Sequence, residues 1–140
     1  MLRISNNDCL LEVEASVEED SSIQSYGDAR LSLRVQSHGY IGSATAWVER
    51  EQLKQFSEAL SRLEKSLQGE AVLSSMSPGE LSLKLLSVSS RGHVAIEGSI
   101  GRHVHGANSM IWHSVTFGFE FENTQLTEAV QVPWLSRGAA

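Results

Sequence analysis

A chain of 140 residues, 41% hydrophobic and 20% charged, is one domain's worth of polypeptide, long enough to bury about two thirds of its unfolded surface in a core of its own. That composition excludes disorder and collagen-like repeats, and no apolar run approaches the roughly 18 residues of a membrane span or forms a signal-peptide core near the start. The net charge is −6 and the single cysteine is Cys9, so an internal disulfide and a Cys-rich zinc cluster are both excluded, and a reducing cytoplasm fits best.

From Cys9 to Val17 apolar Leu11, Val13, Ala15 and Val17 alternate with Glu12, Glu14 and Ser16, the period of a half-buried strand. Glu18 to Asp28 has no period and reads as a loop. Leu31, Leu33 and Val35 resume the alternation, and Ser37-His38-Gly39 predicts a hairpin turn into a strand from Tyr40 to Val48. The period then changes. Leu53, Phe56, Leu60, Leu63 and Leu67 are spaced by three and four, which predicts a helix over 51–68 with Gly69 as its left-handed stop. Strands return at Ala71–Ser75 and at Leu81–Leu85, with Ser77-Pro78-Gly79 as the turn between them. Leu85-Leu86 breaks the alternation and implies a bulge or a strand covered on both sides. A strand through Val94, Ile96, Gly98 and Ile100 follows. The last strand turns Val115, Phe117, Phe119 and Phe121 inward, and Asn123 or Thr124 caps a short helix over 124–132 that ends at Pro133.

The order is four strands and a helix, then four strands and a shorter helix, like a distant duplication of elements. Alternation in nearly every strand predicts an α+β fold in a single domain, 1–140. Its core would be a curved, mainly antiparallel sheet of six to eight strands with both helices on one face.

Charge is concentrated at one end. Residues 1–28 carry seven acids against Arg3 alone, whereas the remaining 112 residues carry ten acids and ten bases. Phosphate binding needs clustered Lys and Arg, so nucleic acid is a poor partner, and a basic protein surface is favoured. The candidate partner-binding residues are Glu12, Glu14, Glu18, Glu19 and Asp20, although an acidic run also serves solubility alone. On paired strands Glu12 and Glu14 would face Arg30 and Arg34.

His103 and His105 have the spacing that points two imidazoles to one face of a strand, with His93 and His113 as the first further ligands to consider. Gly101, Gly106, Ala107 and Asn108 make the segment look like a loop, no third ligand is near, and no metal is predicted to bind tightly. No G-x-S-x-G elbow or phosphate loop occurs. Nothing cationic adjoins Cys9, which reads as a small core residue. Enzymatic activity and a cofactor are therefore not expected.

The runs Leu53-x-x-Phe56-x-x-x-Leu60-x-x-Leu63, Gly69-Glu70-Ala71-Val72-Leu73-Ser74-Ser75, Gly92-His93-Val94-Ala95-Ile96-Glu97-Gly98-Ser99-Ile100 and Phe119-Glu120-Phe121-Glu122-Asn123-Thr124-Gln125-Leu126 resemble the WapI-like bacterial immunity proteins. The likeness covers roughly the last two thirds of the chain and rests mostly on fold positions, with no active-site residues to carry over. It implies a cytoplasmic bacterial protein that neutralises a toxin domain by covering its active surface, and the acidity suits capture of a basic toxin. The alternatives are a small-ligand or metal-binding module using the open sheet face or the His103/His105 segment, and a subunit that self-associates through an edge strand.

Overall fold

The computed structural model describes residues 1–135. Two antiparallel meanders follow one another in the chain. The first is β1 (Leu2–Ser5), β2 (Cys9–Val17), β3 (Ala29–Ser37) and β4 (Tyr40–Val48). Helix α1 (Arg50–Ser66) leads into the second, β5 (Glu70–Ser74), β6 (Leu81–Ser87), β7 (Val94–His105) and β8 (Met110–Phe121), and α2 (Thr124–Ala129) follows. Each sheet runs in chain order, β1-β2-β3-β4 and β5-β6-β7-β8. The α+β class is as expected, but the single sheet of six to eight strands is not formed. Alternation tells which face of a strand is buried, not which strand lies beside it. Here the 17-residue α1 separates β4 from β5, and the first sheet packs against the second instead of pairing with it.

The two sheets and both helices share one core. Leu11, Val13, Leu31 and Val35 come from the first sheet, Leu73, Leu83, Leu85 and Ile96 from the second, and Phe56, Leu60 and Leu126 from the helices. The predicted helix stripe of Leu53, Phe56, Leu60 and Leu63 is buried in full. At Gly42 the sheets approach so closely that a Cβ would stand 2.9 Å from Val115 Cγ2 and 3.1 Å from Ile100 Cδ1, leaving no room for a side chain.

Local chemistry explains most boundaries. His38 and Gly39 both take positive φ, as a two-residue hairpin turn requires. Helix α1 has no side-chain cap of its own at Glu49; instead Asp28, 22 residues earlier, accepts the Arg50 N–H at 2.9 Å, satisfying one of the orphan donors of the first turn. The predicted stop at Gly69 is displaced. Leu67 itself is left-handed, with φ 53 and its N–H on the Leu63 carbonyl, and its side chain packs on the core, which offsets the conformational cost. The short helix ends at Ala129, not 132; tighter turns follow, with Val132 N–H on the Ala129 carbonyl, and they deliver Trp134 and Leu135 to the core. Asn123 does not cap α2 with its side chain; its Nδ2 donates to the Gly92 carbonyl at 3.1 Å. No bulge occurs at Leu85-Leu86, since the register with β7 is unbroken from Leu81↔Ile100 to Ser87↔Val94. Leu86 and its partner Ala95 are both at least half covered, so the strand is shielded on both sides there.

Candidate functional site

The acidic candidates lie along β2 and in the loop that leaves it. Glu12 and Glu14 stand on the outward face of β2, the face opposite the fully buried Leu11 and Val13. Each has a positive neighbour. Arg3 Nε is 3.8 Å from Glu12 Oε2, and the N-terminal ammonium is 3.7 Å from Glu14 Oε1. Across the hairpin Glu12 is level with Arg34 as expected, but Glu14 is level with Ser32, and Arg30 with Ser16. These exposed pairs contribute little stability, yet they cancel part of the charge that the sequence assigns to this face.

The loop acids are held in place by local bonds. The Glu18 N–H donates to the Asp28 carbonyl and the Gly27 N–H to the Glu18 carbonyl, both at 2.9 Å, which closes the loop at its base. Glu18 Oε1 accepts the Asp20 N–H at 3.1 Å. The Asp20 carboxylate accepts the Ser22 hydroxyl at 2.6 Å and the Ser22 N–H at 2.9 Å, an Asx turn. Those two bonds, the hydroxyl's first, favour the charged form and lower the Asp20 carboxyl below its ordinary value. Glu18, Glu19 and Asp20 are therefore grouped on one ordered loop. Glu14 lies about 13 Å further along the strand at ~3.4 Å per residue.

Beside the loop a cavity of about 660 Å³ opens against the first turns of α1. Glu18 and Glu19 of the loop and Arg50, Glu51 and Lys54 of α1 line it, with Trp134 in its wall. Arg50 also stands over the Tyr26 ring at 5.2 Å, a cation–π contact that fixes the guanidinium next to the acidic loop. The Trp134 Nε1 is buried and makes no hydrogen bond among the described residues.

His103 and His105 sit on a strand, not on the expected loop. The stretch of β7 up to Ile100 pairs with β6, and the Gly101 N–H donates to the Glu80 carbonyl at 3.1 Å; beyond it, residues 102–105 and 110–113 pair only with one another and project as a two-stranded arm. His103 and His105 do share one face of the arm. His103 makes an edge contact with Trp112, ring centroids 4.9 Å apart. His113 is level with Arg102, one residue out of step with Trp112, and so faces the other side. His93 lies just before the opposite end of β7, with Nδ1 2.8 Å from Ser89 Oγ. The four do not converge. Among the described residues no three His, Cys, Asp or Glu side chains are placed to hold a metal. Cys9 is buried as predicted, its Sγ 3.6 Å from Ser37 Oγ.

The arm is the surface that sequence reasoning missed. Met110 and Trp112 are exposed by 54% and 42% on the face that carries His103 and His105, and Ile111, exposed by 51%, is exposed with Val104 on the other, so each face of the arm carries its own apolar pair. The available signal was the absence of acids between Glu97 and Glu120 together with the β-branched and aromatic content of 110–117. Periodicity gave none, because both faces of the arm are in water.

A family model for the immunity protein WapI-like family matches residues 3–132, nearly the whole chain and not only its last two thirds. The chain belongs to the WapI-like immunity protein family. No curated protein and no solved structure matches it. Membership supports an immunity role and a partner-binding, non-catalytic function. Among the described residues no helix is long and apolar enough to cross a membrane.

Proposed function

We propose that this chain is a cytoplasmic immunity protein of a bacterium that neutralises a cognate toxin domain by binding it directly, and that the loop acids Glu18, Glu19 and Asp20 draw in a basic face of that toxin. Membership of the WapI-like immunity family over residues 3–132 carries the reading. The charge distribution supports its finer part, since the whole net charge of −6 belongs to residues 1–28. Within that region Glu12 and Glu14 lie beside Arg3 and the N-terminal ammonium, and Glu18 and Glu19 line a cavity with Arg50 and Lys54; the loop is the main source of the field because it groups three acids on one short surface segment. Long-range attraction of this kind raises the association rate, and salt screens it over about 8 Å at physiological ionic strength.

The test uses the cognate toxin domain. A 1:1 complex that abolishes the toxin's activity is expected, with an association rate that falls as salt rises. Converting Glu18, Glu19 and Asp20 to Ser should slow association about tenfold or more at low salt while leaving dissociation nearly unchanged. An unchanged association rate with folding intact removes the acidic loop from the mechanism, and the absence of any complex removes the immunity reading.

A further inference from the structure

A strand at the edge of a sheet presents a row of unpaired N–H and C=O groups, which other strands join unless the protein closes or charges that edge. Two four-stranded sheets have four edges. Three of them are met by specific groups of other elements. At β1, Gln125 accepts the Ser5 N–H at 2.9 Å and donates to the Ser5 carbonyl at 2.8 Å. At β5, α1 packs alongside and Gln52 Oε1 accepts the Ser74 N–H at 3.2 Å. At β4, the Met76 N–H donates to the Trp47 carbonyl at 2.8 Å, and Gly42 rests on Ile100 and Val115.

The fourth edge, β8, is different. Asn6 Nδ2 donates to the Glu120 carbonyl at its C-terminal end, and His113 Nδ1 lies 3.3 Å from the Ile111 carbonyl two residues back. Among the described residues, no other element makes a hydrogen bond to residues 110–119 along that edge. Their sequence, Met-Ile-Trp-His-Ser-Val-Thr-Phe-Gly-Phe, contains no Asp, Glu, Lys, Arg or Pro. The pairing with β7 runs unbroken from Val94↔Phe121 to His105↔Met110, so no bulge turns the edge away. It is long, regular, uncharged and rich in β-branched and aromatic residues, the combination that favours pairing.

We propose that β8 pairs antiparallel with β8 of a second copy of this chain about a two-fold axis, joining their second sheets into one continuous sheet of eight strands. A two-fold axis sets residue i of one strand against j of the other and j against i, so a charge near the centre of the strand would stand close to its own like; residues 110–119 carry none. Antiparallel pairing also places the acidic end of one β8, Glu120 and Glu122, at the acid-free tip of the other copy's arm and away from that copy's own Glu120 and Glu122. Ten paired residues supply about ten main-chain hydrogen bonds, as many as a typical stable interface contains. This inference is independent of the immunity reading.

The experiment is sedimentation velocity and light scattering on the full untagged chain from about 1 to about 200 μM, since dimerisation follows mass action. A mass twice the 15.3 kDa of one chain is expected, together with concentration-dependent protection of the 110–119 amides from hydrogen exchange. Thr116→Lys places like charges across the two-fold axis from an exposed position and should raise the dimer dissociation constant at least about tenfold. Ser32→Lys, on the outward face of the other sheet, should leave it unchanged. Should Thr116→Lys fail to fold, Ser114→Lys and the wild-type exchange pattern decide the matter. A wild type that is monomeric at the highest concentration overturns the proposal, as does a dimer insensitive to both lysines. A monomer whose 110–119 amides are protected only when a toxin domain is added assigns the edge to a partner's strand, and likewise overturns it.

Discussion

Leu60 lies at the middle of the buried stripe of α1 and is fully buried. Leu60→Ala removes three carbons from the core, a transfer cost of about 2.4 kcal/mol at ~0.8 kcal/mol per CH₂. A cavity remains where the neighbours do not collapse, and each 40 Å³ of it adds about 1 kcal/mol at ~24 cal/mol per Å³. Phe56 and Leu63 are held by the same helix and Leu73 by β5, so collapse is partial and the expected loss is about 3–4 kcal/mol. For a chain of this length that corresponds to roughly 10–15 °C in Tm. Urea unfolding followed by far-UV circular dichroism gives the difference directly. Arg62→Ala, exposed on the same helix, should change stability by less than about 0.5 kcal/mol. A Leu60→Ala loss below about 1 kcal/mol would refute the shared core between α1 and the sheets.

Asp28→Ala strips the Arg50 N–H of its acceptor and should cost about 1 kcal/mol in urea unfolding; no change would mean that water replaces the cap at no cost. Ser22→Ala removes the larger of the two bonds to Asp20, so its carboxyl resonance in an NMR titration should move up towards the ordinary carboxylate value. Because the folded-state value is the lowered one, whatever stability the Asp20 turn supplies is present above the ordinary carboxylate range and is lost as pH falls through the depressed value. Gly101→Ala places a methyl group into the Trp112 indole; the ring should leave its place, with a shift in tryptophan fluorescence and weakened His103 contact, and an unaltered spectrum would refute the arm's packing. Gln125→Ala reopens the β1 edge at Ser5 and should raise hydrogen exchange at the Ser5 amide ahead of global unfolding.

The sequence by itself determined the elements. Periods of two and of three to four separated strands from helices because a residue's side chain must face core or water, and that choice is local: β2, β3 and β4, the α1 stripe and the buried Cys9 follow from it, whereas the four-residue β1 is too short to show a period. The acidic excess of residues 1–28 was likewise legible, being a matter of counting. Which strands are neighbours is not local. The same alternation fits one wide sheet or two packed ones, and only the close contact of Gly42 with Ile100 and Val115 shows that β4 lies on the second sheet and not beside β5. Long-range satisfaction of backbone groups was invisible for the same reason. Asp28 capping α1 and Gln125 and Gln52 closing sheet edges join residues separated by 22 to 120 positions, and no spacing rule connects them. Tertiary structure also decided which cations stand near which acids, Arg3 and the N-terminus by Glu12 and Glu14 and Arg50 and Lys54 on the cavity that Glu18 and Glu19 line. It extended β7 and β8 past the rest of their sheet as well, because two strands that pair with each other need no buried face to persist as an arm.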